Sequence, residues 1–275
     1  MVSVRDRRRW RTLPVADEIR TDIPHSARIW NYWMGGKDNY EIDRQVGDAS
    51  LEIDPDIGEM ATESRKFLIR AVEHLAGEVG IRQFLDIGTG LPTMRNTHEV
   101  AQDIAPDAHV VYVDNDPLVL THARALLTSV TDEGVTTYVE ADFNNPEHIL
   151  GEVSGILDLT QPVGVMFMGV LGHAGTHDDL LRIVRTVLAA VPPGSHLVHW
   201  DGTTDSPYYV RMCEEYSKSG GVPYHPRTQD ELRVVFDGLE LLEPGFGKIT
   251  HWRRPAPERA GVRDIAAYGG VARKP

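Results

Sequence analysis

The 275-residue sequence holds a single cysteine, Cys213, which excludes an intramolecular disulfide and any metal cage built of cysteines. It has no apolar run near the roughly 20 residues that a membrane span needs. No signal-peptide core follows its N-terminal arginines. Positive charge is scarce as well: 28 Lys and Arg stand against 41 Asp and Glu, a formal net charge of −13. A surface that tracks phosphates needs a basic face, so nucleic acid is not expected as a partner. The one basic cluster, Arg5, Arg7, Arg8, Arg9 and Arg11, reads as a solvated tail. Zinc-type histidine spacing, a Gly-x-Ser-x-Gly elbow and a Walker loop are all missing, and no internal repeat is found. A soluble, cytoplasmic protein without metal or membrane partner is expected. Cys213, inside YYVRMCEEY, is expected to pack a helix rather than to act as a nucleophile.

What is present changes grammar near Ile81. Residues 1–25 are charged and proline-punctuated and read as a flexible arm; 26–80 read as a helical extension or lid. Ser26 is placed to cap a helix in which Ile29, Trp30, Trp33 and Met34 recur at helical spacing, with Gly35-Gly36 ending it. A second helix is expected over Glu41–Leu51 and a third near Asp56–Gly77, the latter with Met60, Phe67, Leu68, Ala71, Val72 and Leu75 on one side.

From 81 to 275 short apolar strands alternate with helices. The strands are expected at 82–87, 109–114, 135–140, 163–168 and 195–200, and the helices near 93–104, 117–129, 146–157 and 177–190. This alternation predicts an α/β domain with a parallel sheet covered on both faces. A helix around Ser206–Lys218 and a short one opened by the Thr228-Gln-Asp-Glu231 capping box follow. Two last strands, 239–243 and 248–253, are separated by four residues, too few for a parallel return. The expected sheet therefore has seven strands, mostly parallel, with the last antiparallel. Dehydrogenase Rossmann domains usually lack that ending.

Phe84-Leu-Asp86-Ile-Gly88-Thr89-Gly90-Leu-Pro92-Thr93 stands where the first strand meets the first crossover helix. Ligands of open α/β sheets bind beyond the carboxyl ends of the strands. Gly88 and Gly90 permit backbone angles and close approach that a β-carbon would block. A dinucleotide would call for Gly-x-Gly-x-x-Gly, but the third glycine position is Thr93. Asp86, two residues before Gly88, would repel a pyrophosphate and attract an ammonium or sulfonium. The charge sign thus favours S-adenosylmethionine over NAD.

Two further acids fit that ligand. Asp114, followed by Asn115, ends the second strand, where a carboxylate can accept from both ribose hydroxyls. Asp142-Phe143 follows the third strand, where the acid can accept from an adenine amino group while the ring packs on the base. Each of Asp114, Asp116 and Asp142 could instead cap a helix. Three acids at three successive strand ends make a stronger signal than one. Asp114-Asn-Asp116 also has the look of a Mg²⁺ cluster, but the ribose role accounts for Asp114, and no metal is expected.

The chain resembles a bacterial family of S-adenosylmethionine-dependent methyltransferases formerly catalogued as a domain of unknown function. The resemblance rests on Ala27-Arg-Ile-Trp-Asn-Tyr-Trp-Met-Gly-Gly-Lys-Asp-Asn39, Gln83-Phe-Leu-Asp-Ile-Gly-Thr-Gly-Leu-Pro-Thr93, Val111-Tyr-Val-Asp-Asn-Asp116 and Tyr268-Gly-Gly-Val-Ala-Arg-Lys-Pro275. It covers nearly the whole chain from Ser26 and implies a Rossmann-like class I methyltransferase fold with bound cofactor, but no particular acceptor. Leu91-Pro92 stands where many methyltransferases carry a third glycine, a departure that belongs to the family resemblance too.

The segment Trp30–Tyr40 reads as a lid. Gly35-Gly36 would let backbone approach the cofactor, Asn31 and Lys37 would offer polar contacts, and Lys37 would hold its carboxylate, while Trp30 and Trp33 pack on the sheet. Methyl transfer needs alignment and exclusion of water, and a base only when the acceptor must lose a proton early. His173, in Met168-Gly-Val-Leu-Gly-His173 after the fourth strand, is the first candidate for that base, with His199 and Asp201 behind it. Pro207-Tyr-Tyr209 and Val222-Pro-Tyr-His225 are candidates for an aromatic acceptor pocket. Two functions stay open besides a distant NAD oxidoreductase. One is a methyltransferase acting on a small molecule; the other is a non-catalytic sensor of S-adenosylmethionine or S-adenosylhomocysteine.

Overall fold

Five short apolar strands set the architecture. They are β1 (Gln83–Ile87), β2 (His109–Asp114), β3 (Val135–Glu140), β4 (Gly164–Met168) and β5 (His196–Gly202). All pair in parallel, in the spatial order β3-β2-β1-β4-β5. The computed structural model describes residues 19–92, 95–119, 121, 129–259 and 261–275. The arginine cluster at 5–11, Thr93 and most of the helix expected at 117–129 lie outside the described residues, although 117–119 and 121 are helical.

Every residue of β1 and β5 is buried, as expected for strands covered on both faces. Alternation along β1 sends Phe84 into one core and Leu85 and Ile87 into the other. The Phe84 side is covered by α3 (Ile57–His74), α4 (Thr97–Ile104) and α7 (Pro207–Tyr216). The Leu85 side is covered by α5 (Pro146–Val153) and α6 (His177–Ala190). Cys213 packs in α7, where burial pushes its thiol up to about 12. A thiol kept protonated in this way is a poor nucleophile.

The sheet has eight strands rather than the seven expected, and its antiparallel member is not 248–253. Residues 239–253 contribute only β6 (Glu240–Leu241) and β7 (Gly247–Lys248), which do not pair with one another. Both pair with β8 (Ala267–Arg273), which runs antiparallel beside β5 along its whole length. β8 escapes a propensity reading because Gly269-Gly270 breaks its apolar pattern. The structure supplies the reason for the first glycine: a β-carbon on Gly269 would lie 2.1 Å from the His199 carbonyl oxygen. The chain after Lys248 turns instead of extending, with Arg253 at φ +45°.

Smaller differences have local causes. The first helix, α1 (Ser26–Trp33), is capped by His25, whose Nδ1 accepts from the Ala27 amide, so Ser26 is its first helical residue rather than its cap. α4 starts only at Thr97 because Asn96 and Glu99 form its capping box. α5 stops at Val153, and α8 (Gln229–Arg233) opens with the Thr228–Glu231 box as expected. α2 (Glu41–Ile53) packs on α1 through Tyr32–Asp48 and Trp33–Gly47 hydrogen bonds. α1 is anchored to the carboxyl end of the sheet by Arg28, whose Nε lies 3.2 Å from Asp116 Oδ2 with both side chains buried. Among the described residues no helix is long and apolar enough to cross a membrane.

Candidate active site

The strand order reverses between β1 and β4, and the loops that leave the sheet there splay apart. A cleft of about 280 Å³ lies at that point. Gly88 at φ +72° and Gly90 at φ +68° form its floor, in a backbone region that disfavours other residues. The turn is wedged against the β4 loop: a β-carbon on Gly88 would lie 2.3 Å from a Val170 methyl.

Nine of the thirteen foremost site candidates line this cleft. Asp86, Gly88, Thr89 and Gly90 come from β1 and its loop, and Asp114 and Asn115 from the end of β2. Asp142 and Phe143 come from the end of β3, and His173 from the turn after β4. Asp114 also braces the site, since its Oδ2 accepts from the Gly90 amide (2.8 Å) and its Oδ1 from those of Asn115 (2.9 Å) and Asp116 (3.0 Å). Three acceptor positions are used, and one remains of the roughly four that a carboxylate offers. Asp142 Oδ1 accepts from the backbone and side chain of Asn144.

The other four, Asn31, Gly35, Gly36 and Lys37, do not line the cleft. Asn31 is buried, and its Oδ1 accepts from the Asp38 amide and from Asn39 Nδ2, both at 3.0 Å. Gly36 is glycine because a β-carbon would strike the Asn31 amide at 2.3 Å. Gly35 reverses the chain at φ +77°, and Lys37 is exposed. This unusual motif stabilises a turn against α2.

The cleft gains instead a residue that the sequence did not announce. Arg65, on α3, lines it beside Asp86, and no hydrogen bond to its guanidinium occurs among the described residues. Burial pushes its pKa down and the Asp86 charge opposes that shift. Asp86 in turn is buried, and desolvation raises its pKa to about 6 against the hydrogen bond from Thr97 Oγ1 (2.7 Å). Its Oδ1 has no hydrogen-bond partner among the described residues. An acid and a base thus face one cavity, each with unused hydrogen-bonding capacity.

A family profile described as S-adenosyl methyltransferase matches residues 13–275. The chain belongs to the S-adenosyl methyltransferase family. A DUF574 family protein from Streptomyces avermitilis MA-4680 is 46% identical, with a TM-score of 0.90 over 94% of this chain and 100% of its own. A candidate methyltransferase from Thermobifida fusca YX is 38% identical, with a TM-score of 0.83 over 93% of this chain and 97% of its own. A methyltransferase from Anabaena variabilis ATCC 29413, 14% identical with a TM-score of 0.50 over 90% of this chain and 95% of its own, shares the fold. Among curated proteins none matches the sequence.

The cofactor of this family is S-adenosylmethionine, and the residues present fit it. The buried Asp86 oxygen suits a cationic group, and the Arg65 guanidinium, without a hydrogen bond among the described residues, suits a carboxylate. The cleft adjoins a second chamber of about 40 Å³, and Ser26, Trp30 and His173 belong to both walls. The His173 ring packs edge-on against Tyr224 with centroids 5.1 Å apart, and its Nδ1 lies 2.9 Å from the Pro223 carbonyl oxygen. A carbonyl can only accept, so Nδ1 carries the proton and Nε2 keeps a lone pair. Burial pushes the His173 pKa below its ordinary value, which keeps the ring neutral at pH 7.

His199 and Asp201 lie off both cavities. Asp201 Oδ1 accepts from the Tyr224 hydroxyl (2.8 Å) and the Gly172 amide (3.2 Å). Both groups therefore brace the segments that carry His173. Of the two candidate aromatic stretches, Tyr209 and Tyr224 wall the chamber.

Proposed function

We propose that this chain transfers a methyl group from S-adenosylmethionine to a small, uncharged molecule, with His173 accepting the acceptor's proton. The observation that carries this reading is His173 itself, an imidazole on the wall shared by two adjoining cavities, with its Nδ1 held by the Pro223 carbonyl oxygen. When bound, the cofactor supplies a methyl group activated by its sulfonium. Asp86 would hold the ammonium, Arg65 the carboxylate in place of Lys37, Asp114 with Asn115 the ribose, and Asp142 with Phe143 the adenine. Gly88, Thr89 and Gly90 would give the close backbone approach.

The chain's own part is alignment and exclusion of water. Residues from 26 onward would serve as lid, with α1 covering the cleft and Arg28–Asp116 fixing its start. α3, by contrast, lies within the core that covers the sheet. The acidic balance of −13 supports an acceptor other than nucleic acid. A sensor needs no second chamber beside the donor cleft, so the adjoining cavity speaks for catalysis.

Thermal denaturation with S-adenosylhomocysteine or NAD tests the cofactor half, because a ligand that binds only the native state must raise its stability. Stabilisation by NAD alone would overturn the reading. Incubation with radiolabelled S-adenosylmethionine and a cell extract split by ultrafiltration tests the acceptor: label is expected in the small-molecule fraction, and label confined to macromolecules would sink that part.

A further inference from the structure

We infer that Thr97, the first residue of α4, is the positioning residue that presents Asp86 to the ammonium group of the cofactor. This rests on the reading of Asp86 as that group's partner and adds what holds the carboxylate ready. Strand register sets Asp86 of β1 beside Tyr112 of β2, on the face that α3 and α4 cover. Asp86 and Thr97 are both buried there, and the Thr97 hydroxyl donates to Asp86 Oδ2 at 2.7 Å. A buried carboxylate keeps its charge only where donors meet it, and a hydroxyl donating to it makes one of the stronger hydrogen bonds. Oδ1 has no hydrogen-bond partner among the described residues, and Asp86 lines the cofactor cleft. Thr97 thus occupies one oxygen and leaves the other for a ligand cation.

The start of α4 is fixed independently of any ligand. Asn96 and Glu99 close the capping box that makes Thr97 the first helical residue. One residue on, the His98 amide donates to the Tyr112 hydroxyl oxygen at 2.8 Å, and His98 Nδ1 lies 2.9 Å from the same oxygen. The hydroxyl accepts from the amide and has its single proton left for Nδ1, so α4 is fastened twice to the strand beside Asp86. Burial pushes the His98 pKa down, in keeping with a neutral ring whose Nδ1 accepts. The amino end of a helix also favours negative charge near its first turn.

The groups around Asp86 explain why a hydroxyl serves here. Burial and Asp114 of β2 oppose its charge; the Thr97 hydrogen bond, Arg65 of α3 and, more weakly, Thr89 of the glycine loop favour it. Its neighbours across the sheet, Tyr112 and Tyr138, are kept un-ionised by burial. Without Thr97 the carboxyl would take up a proton or swing toward Arg65, and either event spends the charge that the ammonium needs. A neutral donor keeps Asp86 ionised and oriented without neutralising it.

Calorimetric titration of the full chain with S-adenosylhomocysteine, and with 5′-methylthioadenosine, which lacks the amino-acid end, tests this from about pH 5 to about pH 8. Thr97→Val keeps the shape and removes the hydroxyl. It is expected to weaken S-adenosylhomocysteine about fivefold or more at pH 7 and to leave 5′-methylthioadenosine within about twofold. The midpoint of the pH dependence should move upward from about 6 by about one unit. Thr97→Ser is expected to restore the wild-type affinity and midpoint. An equal loss for both ligands, an unmoved midpoint, or a Thr97→Ser as weak as Thr97→Val would leave Thr97 a packing role and overturn the inference. Should Thr97→Val fail to fold, Thr97→Ala carries the same expectations. If Asp86→Asn leaves S-adenosylhomocysteine binding unchanged, the underlying reading of Asp86 fails. A weakened Asp86→Asn beside an unaffected Thr97→Val sinks the inference alone.

Discussion

The two halves of the cleft are made of opposite materials. At the ends of β1, β2 and β3, carboxylates, backbone amides and one arginine surround the space, and the binding chemistry is charge and hydrogen bonding. Beyond His173 the walls are indole, phenol and thioether, and the hydrogen bonds are largely spent within the protein. The first half suits a charged ligand held in one pose, the second a neutral ligand sorted by shape. Damage to one half should therefore leave the other's binding intact, and that separation can be tested from both sides.

The largest effect is expected at Asp114. Its carboxylate both faces the cleft and accepts the Gly90, Asn115 and Asp116 amides, so Asp114→Ala removes a ligand contact and unpins the glycine loop. Hydrogen bonds to charged groups contribute about 1.5–3 kcal/mol each. A loss of at least a hundredfold in S-adenosylhomocysteine affinity by calorimetry follows. His173→Gln should do the reverse: a turnover number lower by about a hundredfold, with cofactor affinity within twofold. A parallel fall in cofactor affinity would show that His173 belongs to the donor half.

The contrast between the halves also explains what could be read in advance. The donor half is written in short local runs: Asp86 to Gly90 joins the end of β1 to its turn, Asp114 ends β2, and Asp142 follows β3 by two residues. The parallel core was legible for the same reason, since most of its strands are short apolar runs. The acceptor half is assembled from α1, α2, α3, α7 and the turns carrying His173 and Tyr224, so its members share a cavity but no stretch of sequence. Arg65 was invisible because one arginine on an amphipathic helix carries no period. Asn31 and Lys37 lie outside the cleft, in a polar turn held by its own hydrogen bonds, which in sequence has the composition of a ligand site. β8 was missed as a strand because Gly269, required by the approach of His199 and Trp200, interrupts the pattern a strand would show.

That correction can be sharpened by a paired substitution. Arg65→Gln is expected to lower S-adenosylhomocysteine affinity about tenfold or more, as for loss of a charge-assisted hydrogen bond, while Lys37→Gln leaves it within twofold. The opposite ranking in calorimetry would return the carboxylate contact to the turn. Asp86 gives a smaller, graded effect. A bound ammonium favours its ionised form, so below about pH 6, where the free protein's carboxyl takes up a proton, affinity should fall by up to tenfold per pH unit. Asp86→Asn should be weaker above that pH and flatten the slope; an unchanged slope would move the titration to Asp114, whose pKa burial also raises.

The smallest effect belongs to the scaffold behind the acceptor half, and it shows in stability rather than binding. Burial pushes Asp201 up to about 7, while His199 is pushed down to about 4 and stays neutral. His199 Nδ1 faces the Phe167 carbonyl oxygen at 3.2 Å, so its Nε2, 3.6 Å from Asp201 Oδ2, is an acceptor. A protonated Asp201 is the form that suits this neighbour. Because its folded pKa lies above the unfolded value near 3.9, the native state holds the extra proton between those limits. Its contribution favours folding at low pH and is lost as pH rises through about 7. Asp201→Asn keeps an acceptor for Tyr224 and Gly172, places a donor toward His199, and removes the cost of ionisation. It should stabilise the protein at pH 8 on the order of 2 kcal/mol and make little difference near pH 4. Urea denaturation at the two pH values measures both numbers. Destabilisation at pH 8 would mean that ionised Asp201 is needed where it stands, and would make it a working part of the acceptor half rather than its support.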